Sequence, residues 1–176
     1  MFEWWEVLPD SERRQWALDP FVSVGPLRFG MSPDDVSKSL NGFTPVPQKF
    51  TVQDRDCRWR GEHRELGLVM YYGAEERLRG VVVDALRGPQ VFADERPLVS
   101  RAPSELEQWL RDRAARREPY SELSYLAAGI PGSQTLGVVV SVQRAGDRLI
   151  TRPVFLPTEA MEDVPHFLPA EVWDIH

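Results

Sequence analysis

The chain has 176 residues, enough for one ordinary domain or two small units sharing a core. A hydrophobic fraction of 42% with a charged fraction of 27% is that of a soluble globular protein. The formal net charge of -6 argues against nucleic acid, whose phosphates need a basic surface, and leaves another protein as the expected partner.

Cys57 is the only cysteine, so no intrachain disulfide can form, which favours a reducing compartment. The start, Met1-Phe2-Glu3-Trp4-Trp5-Glu6, is acidic where a signal peptide would be basic. No apolar run approaches the roughly 18 residues of a membrane span. The expected location is the cytoplasm, without membrane attachment.

Trp4, Trp5 and Leu8 suit one face of a helical turn, and Asp10 or Ser11 can cap a second short helix through Leu18. This tryptophan-rich stretch reads as a flap packed on the body. The competing reading is an exposed aromatic anchor for a partner. Next, Ser32 is placed as an N-cap, Pro33 at the first helical position and Asp34-Asp35 in the first turn. Asn41-Gly42 ends that helix. Phe43 to Gln48, with two prolines, reads as loop. Strands are expected over 50–59, 66–72 and 78–86, with Gly73-Ala74-Glu75-Glu76 as a hairpin turn.

A second helix starts at Pro103, with Ser104 and Glu107 as a capping box, and stops at Glu118-Pro119. Strands follow over 123–128, 136–143 and 148–156, with Arg144-Ala145-Gly146-Asp147 as the turn. The tail is broken by prolines, and Phe167, Leu168, Val172 and Trp173 suggest that it docks on the body.

Matches recur at a near-constant spacing of some seventy residues. Pro26-Leu27 meets Pro97-Leu98, Pro33 meets Pro103, Leu66-Gly67 meets Leu136-Gly137, and Phe50 meets Tyr120. The expected fold is therefore α+β, a tandem repeat of a helix plus a three-stranded antiparallel meander, with the helices on one face of the sheet. It divides into an N-terminal helical flap (1–21), a first repeat (22–91), a second repeat (92–156) and an acidic docked tail (157–176).

Strand alternation assigns sides. Leu66, Leu68, Met70 and Tyr72 share one face with Val81, Val83, Val138 and Val140. The opposite, half-polar face carries Trp59, Tyr71, Val82, Asp84 and Ser141. These five are the expected partner-binding residues, unless the tail or the flap covers that face.

The phrase Phe29-Gly30-Met31-Ser32-Pro33-Asp34-Asp35-Val36, followed by a meander and repeated, resembles the tandem-repeat β-lactamase inhibitory protein fold. It is similar, too, to the related small outer-membrane assembly lipoprotein module. The resemblance implies binding through a sheet surface, without catalysis. That family is envelope-bound or secreted with cysteines in each repeat, whereas this chain has Cys57 alone.

Chemistry-bearing patterns are thin. His63, His166 and His176 are scattered, and His166, Glu171, Asp174 and His176 match no zinc spacing. Cys57 beside Arg55 and Arg58 has the charge setting of a reactive thiol, but reads as a small buried strand residue. Asp34-Asp35, Glu75-Glu76 and Glu162-Asp163 fall at a helix start, a turn and the tail, where capping and solvation are their roles. No catalytic residue, metal ligand or cofactor is assigned. The expected function is a non-catalytic protein-binding module of the immunity or inhibitor type. The alternative is a small hydrolase or ligand-binding protein with a site between the repeats.

Overall fold

The computed structural model describes residues 4–43, 45–49, 57–117 and 122–175. After a 3-10 turn at Asp10–Glu12, the chain forms β1 (Gln15–Asp19), β2 (Ser23–Val24) and β3 (Leu27–Arg28). Helix α1 (Pro33–Ser39) follows, then β4 (Val46–Lys49), β5 (Cys57–His63), β6 (Leu68–Gly73) and β7 (Leu78–Val83). A hairpin of β8 (Gln90–Ala93) and β9 (Arg96–Pro97) leads into α2 (Pro103–Ala115). The second half holds β10 (Leu123–Ala127), β11 (Ile130–Ser133), β12 (Val138–Ala145) and β13 (Arg148–Phe155). A C-terminal segment of two 3-10 turns, Thr158–Glu162 and Ala170–Trp173, flanks the one-turn α3 (Val164–Phe167).

The strands build two sheets. The smaller runs β3-β2-β1-β8-β9, and the larger β10-β11-β12-β13-β7-β6-β5-β4. All pairings are antiparallel except that of β1 with β8, which is parallel. The large sheet is joined at its centre by β13 and β7, with Val154 opposite Val82 and Phe155 opposite Val81.

This architecture overturns the expected fold class. Among the described residues strand outweighs helix, in sheets of five and eight, with three helices of 7, 13 and 4 residues. It is not an α+β tandem repeat of a helix plus a three-stranded meander with helices on one face. The physical reason is the small sheet. Residues 15–19 pair with residues 90–93, so the stretch read as a helical flap and the stretch after β7 share one ladder. Over residues 10–18 a 3-10 turn and a strand replace the expected helix. Residues 46–49, read as loop, form an edge strand despite Pro47. Of the strand expected over 50–59, residues 50–56 lie outside the described residues, as do Tyr120, His176 and the expected helix stop at Glu118-Pro119.

Local chemistry explains the small sheet. Gly25-Pro26 closes the two-residue hairpin between Val24 and Leu27, with Gly25 at φ 56°. A Cβ on Gly25 would lie 2.5 Å from the Trp16 ring, so only glycine fits that turn. Asp94 and Glu95 close the β8–β9 hairpin at φ 48° and 64° without any glycine. At α1, Ser32 caps the helix by accepting from the Asp35 N–H at 3.2 Å. At α2 the cap position falls on Ala102 and Pro103 opens the helix, so Ser104 is not the cap expected of it.

Two cores result. One face of the large sheet, with Leu68, Met70, Tyr72, Val81, Val138 and Phe155, shares a core with Trp16 and Val91 of the small sheet, Val36 of α1 and Leu106 of α2. On the other face, Tyr71, Val82, Val139 and Val154 pack under Ala160, Leu168 and Val172 of the C-terminal segment. Among the described residues, no helix is long and apolar enough to cross a membrane.

Candidate functional site

The sheet face expected to meet a partner is already occupied. Tyr71, Val82 and Ser141 are all buried, as are Ala160, Leu168 and Val172, the residues that cover this face. Leu168 lies against Gly80, where a Cβ would come within 2.8 Å of its methyl, so a side chain there would lift the segment. Polar contacts add to the seal. The Tyr71 hydroxyl donates to Glu171 at 3.1 Å, Arg60 Nη1 donates to the same oxygen at 3.0 Å, and Arg152 Nη1 donates to the Val172 carbonyl at 3.1 Å. Burial, then the Glu171 charge, pushes the Tyr71 hydroxyl's pKa up, while burial pulls the Arg152 pKa down.

The five expected residues do not form one surface. Trp59 lies on the opposite side, stacked on Tyr72 with centroids 4.2 Å apart and packed against the first core. Trp59 follows Tyr72, its partner on the regular β5–β6 ladder, and the register shift between Cys57 and Trp59 carries Cys57 to the covered face. Asp84 is a turn residue: its Oδ1 accepts from the N–H groups of Leu86 at 2.7 Å and Arg87 at 3.0 Å, and its Oδ2 accepts from Gln143 at 3.2 Å. Tyr71, Val82 and Ser141 share a face, but beneath the C-terminal segment rather than in solvent. Cys57 is buried there too, and burial pushes its thiol up to about 12, so it is no nucleophile at neutral pH.

The surface that does stand open is at the N-terminus. Trp4 is 86% exposed and Trp5 51% exposed. The chain is anchored two residues on, where Val7 packs against the cluster of Ala85, Ala145 and Ile150 and the Leu8 N–H donates to the Leu86 carbonyl at 2.8 Å. Arg13 fixes the same corner by donating to the carbonyls of Leu8, Ala85 and Gly88 at 2.9, 2.7 and 2.7 Å. The packed-flap reading fits Trp16, which is buried, and not Trp4 or Trp5. The available signal was Glu3 and Glu6 flanking the pair, a charge setting that suits a solvated turn.

A second feature is His63, at the end of β5. It is 4% exposed, and among the described residues neither ring nitrogen has a hydrogen-bond partner. Burial pulls its pKa below the usual histidine value, so the ring is neutral at pH 7. It borders a cleft of about 310 Å³ with Phe43, Val46 and Leu66 as apolar walls and Glu62, Arg64 and Glu65 around them. Among the described residues, no three His, Cys, Asp or Glu side chains are placed to hold a metal ion together. In the tail, Asp163 accepts from His166 Nδ1 at 2.9 Å as an exposed pair, while Glu171 is engaged with Tyr71 and Arg60.

Comparison of the chain with protein-family profiles, with curated proteins and with solved structures finds no match.

Proposed function

We propose that this chain works by binding another protein, in the manner of immunity and inhibitor proteins, in the cytoplasm. The observation that carries this reading is the exposed Trp4–Trp5 pair on a tethered segment. Leaving indole in water forfeits about 25 cal/mol for each Å² of apolar surface that could be buried, and tryptophan is the residue most enriched at interface hot spots. Val7 and Leu8 anchor the chain beside the pair, which lowers the entropy lost on docking. The acidic net charge favours a basic partner surface. The resemblance of residues 29–36 to an inhibitory-protein family points the same way.

The test is affinity capture from native lysate with the full chain and with the Trp4→Ala, Trp5→Ala double variant. A stoichiometric protein captured by the first and lost with the second, at unchanged thermal stability, is the expected result. Capture that survives the double substitution removes the pair from the interface.

One observation favours a second reading, a ligand-binding protein. The His63 cleft offers a neutral imidazole against apolar walls, with two carboxylates and one guanidinium beside it. A small cation with an apolar body suits that combination. Chemical-shift mapping with alkylamines, centred on His63 and Leu66, tests it.

A further inference from the structure

The two ends of the large sheet are not alike. At one, β4 carries Pro47, which has no N–H to offer a further strand. At the other, β10 reads Leu123-Ser124-Tyr125-Leu126-Ala127, with no proline and no charge. Its inner side is set by the Gln134 N–H donating to the Glu122 carbonyl at 2.7 Å. Alternation along an antiparallel ladder then turns the N–H and C=O groups of Leu123 and Tyr125 outward. Pro131 opposite Tyr125 agrees, because a residue without an N–H sits at a pair that exchanges no hydrogen bonds. Among the described residues those outward groups have no backbone partner.

A cleft of about 210 Å³ lies beside this edge, between the sheet and the C-terminal segment. Its sheet side includes Gly132, Leu126 and Val139, and the segment contributes Met161 and Val164. Gly132 keeps it open: a Cβ there would sit 3.3 Å from Ser124 Oγ. Glu162 and Asp163 line the same cleft, and both are exposed.

We propose that β10 is a strand-addition site for an extended segment of a partner protein that carries apolar residues at alternate positions and lysine or arginine between them. The added strand takes its backbone hydrogen bonds from Leu123 and Tyr125. An apolar side chain enters the cleft, and a basic one reaches Glu162 and Asp163. Charge decides between this occupant and a second copy of the chain. Two copies joined through β10 would bring two acidic rims together, and the cation held against the strand, Arg111 on the Tyr125 hydroxyl at 3.2 Å, is already engaged by Glu107 at 3.0 Å. The site is independent of Trp4 and Trp5, so it goes beyond the function proposed above.

The experiment uses the full chain and a short synthetic peptide of alternating valine and lysine, with a valine–glutamate peptide as control. Amide exchange is read by NMR. Expected are slowed exchange at Leu123 and Tyr125, no binding of the acidic peptide, and an affinity about tenfold weaker for E162K/D163K. Both substitutions are on exposed side chains, and thermal unfolding checks that they leave the fold intact. W4A/W5A should bind the peptide as the wild type does, which separates this proposal from the Trp4–Trp5 reading. Absence of binding, binding without protection of those two amides, or undiminished affinity for E162K/D163K overturns it. So does a dimer of the chain alone with the same amides protected, since the occupant is then a second copy.

Discussion

The two faces of the eight-stranded sheet are built from the same strands and bury different things. Toward α1, α2 and the small sheet, Leu68, Met70, Val81, Val138 and Phe155 present an apolar surface that closes on Leu106, Leu110 and Val91. Toward the C-terminal segment, Val82, Val139 and Val154 alternate in space with Tyr71, Ser141, Gln143 and Arg152. On the first face the ionic group sits at the periphery and is fully paired: Arg113 of α2 bonds Glu122 and Thr135, while Glu122 also accepts from Ser133 at 2.6 Å. Among the described residues, buried polar atoms without a partner fall on both sides: His63 Nδ1 and Nε2 beside Leu68 on the first face, Ser141 Oγ and Trp173 Nε1 on the second. An unsatisfied buried polar group subtracts about 1–3 kcal/mol from the contact that buries it. What sets the second face apart is its cover, a C-terminal segment of 3-10 turns and a single helical turn, which is expected to open at lower free energy than the sheet beneath it.

The strongest way to break this comparison is Glu122→Ala. It leaves Arg113 buried with only the exposed Asp94 as a carboxylate partner, and the expected loss is about 3 kcal/mol in denaturant unfolding. Burial alone would raise the Glu122 pKa, but the hydrogen bonds of Ser133 and Thr135 and the Arg113 charge outweigh it, so the carboxyl lies below the usual range. A carboxyl depressed in the folded state stabilises above its ordinary pKa of 4.5, and that contribution is lost as pH falls through the folded value. Acid titration of the wild type should show this loss, and Glu122→Gln should not. A loss under 1 kcal/mol for Glu122→Ala would place the strength elsewhere.

Leu168→Ala comes next, at about 2 kcal/mol, and its cost should be local. Amide protection across residues 158–173 should fall while β12 and β13 keep theirs. Loss of protection throughout the sheet would show that the two faces are one cooperative unit. Ser141→Ala sharpens the contrast from the other side. Removing a buried hydroxyl with no partner should raise stability, by about 1 kcal/mol, read from the urea midpoint. A destabilisation of that size would show that Ser141 is satisfied. The smallest effect is at His63. Its pKa is lowered from 6.5 by burial, so the folded state holds fewer protons than the unfolded chain just below that value. Stability should decline as pH falls from 6.5 through the folded pKa, and His63→Leu should flatten that decline.

Much of the large sheet was legible. Period-two alternation separates Leu68, Met70, Tyr72, Val81 and Val138 from Tyr71, Val82 and Val139, as the two cores do. The start of α1 was legible from Ser32-Pro33. The small sheet was not. Its strands are two to five residues long, too short for a period, and its β8–β9 turn uses Asp94 and Glu95 at positive φ with no glycine to mark it. The spacing of matches near seventy residues gives no information about β1 pairing in parallel with β8, a contact across the whole first half. For the candidate site, Leu168 and Val172 marked the tail as docking on the body and its covering this face stood as the alternative, but nothing local in the sequence shows which face they seat on. Trp59 pairs with Tyr72 and so lies on the other side, a register that nothing in the sequence marks. Exposure of Trp4 and Trp5 is a tertiary fact, since an i, i+1 aromatic pair looks the same whether packed or free.

The central claim is that partners meet the Trp4–Trp5 corner and not the covered sheet face. In-cell photo-crosslinking tests it directly, with p-benzoylphenylalanine placed at position 5 in one variant and at position 69, half-buried on the covered face, in another. The account predicts a discrete protein adduct from position 5 and none from position 69. An adduct from position 69 with none from position 5 would contradict it.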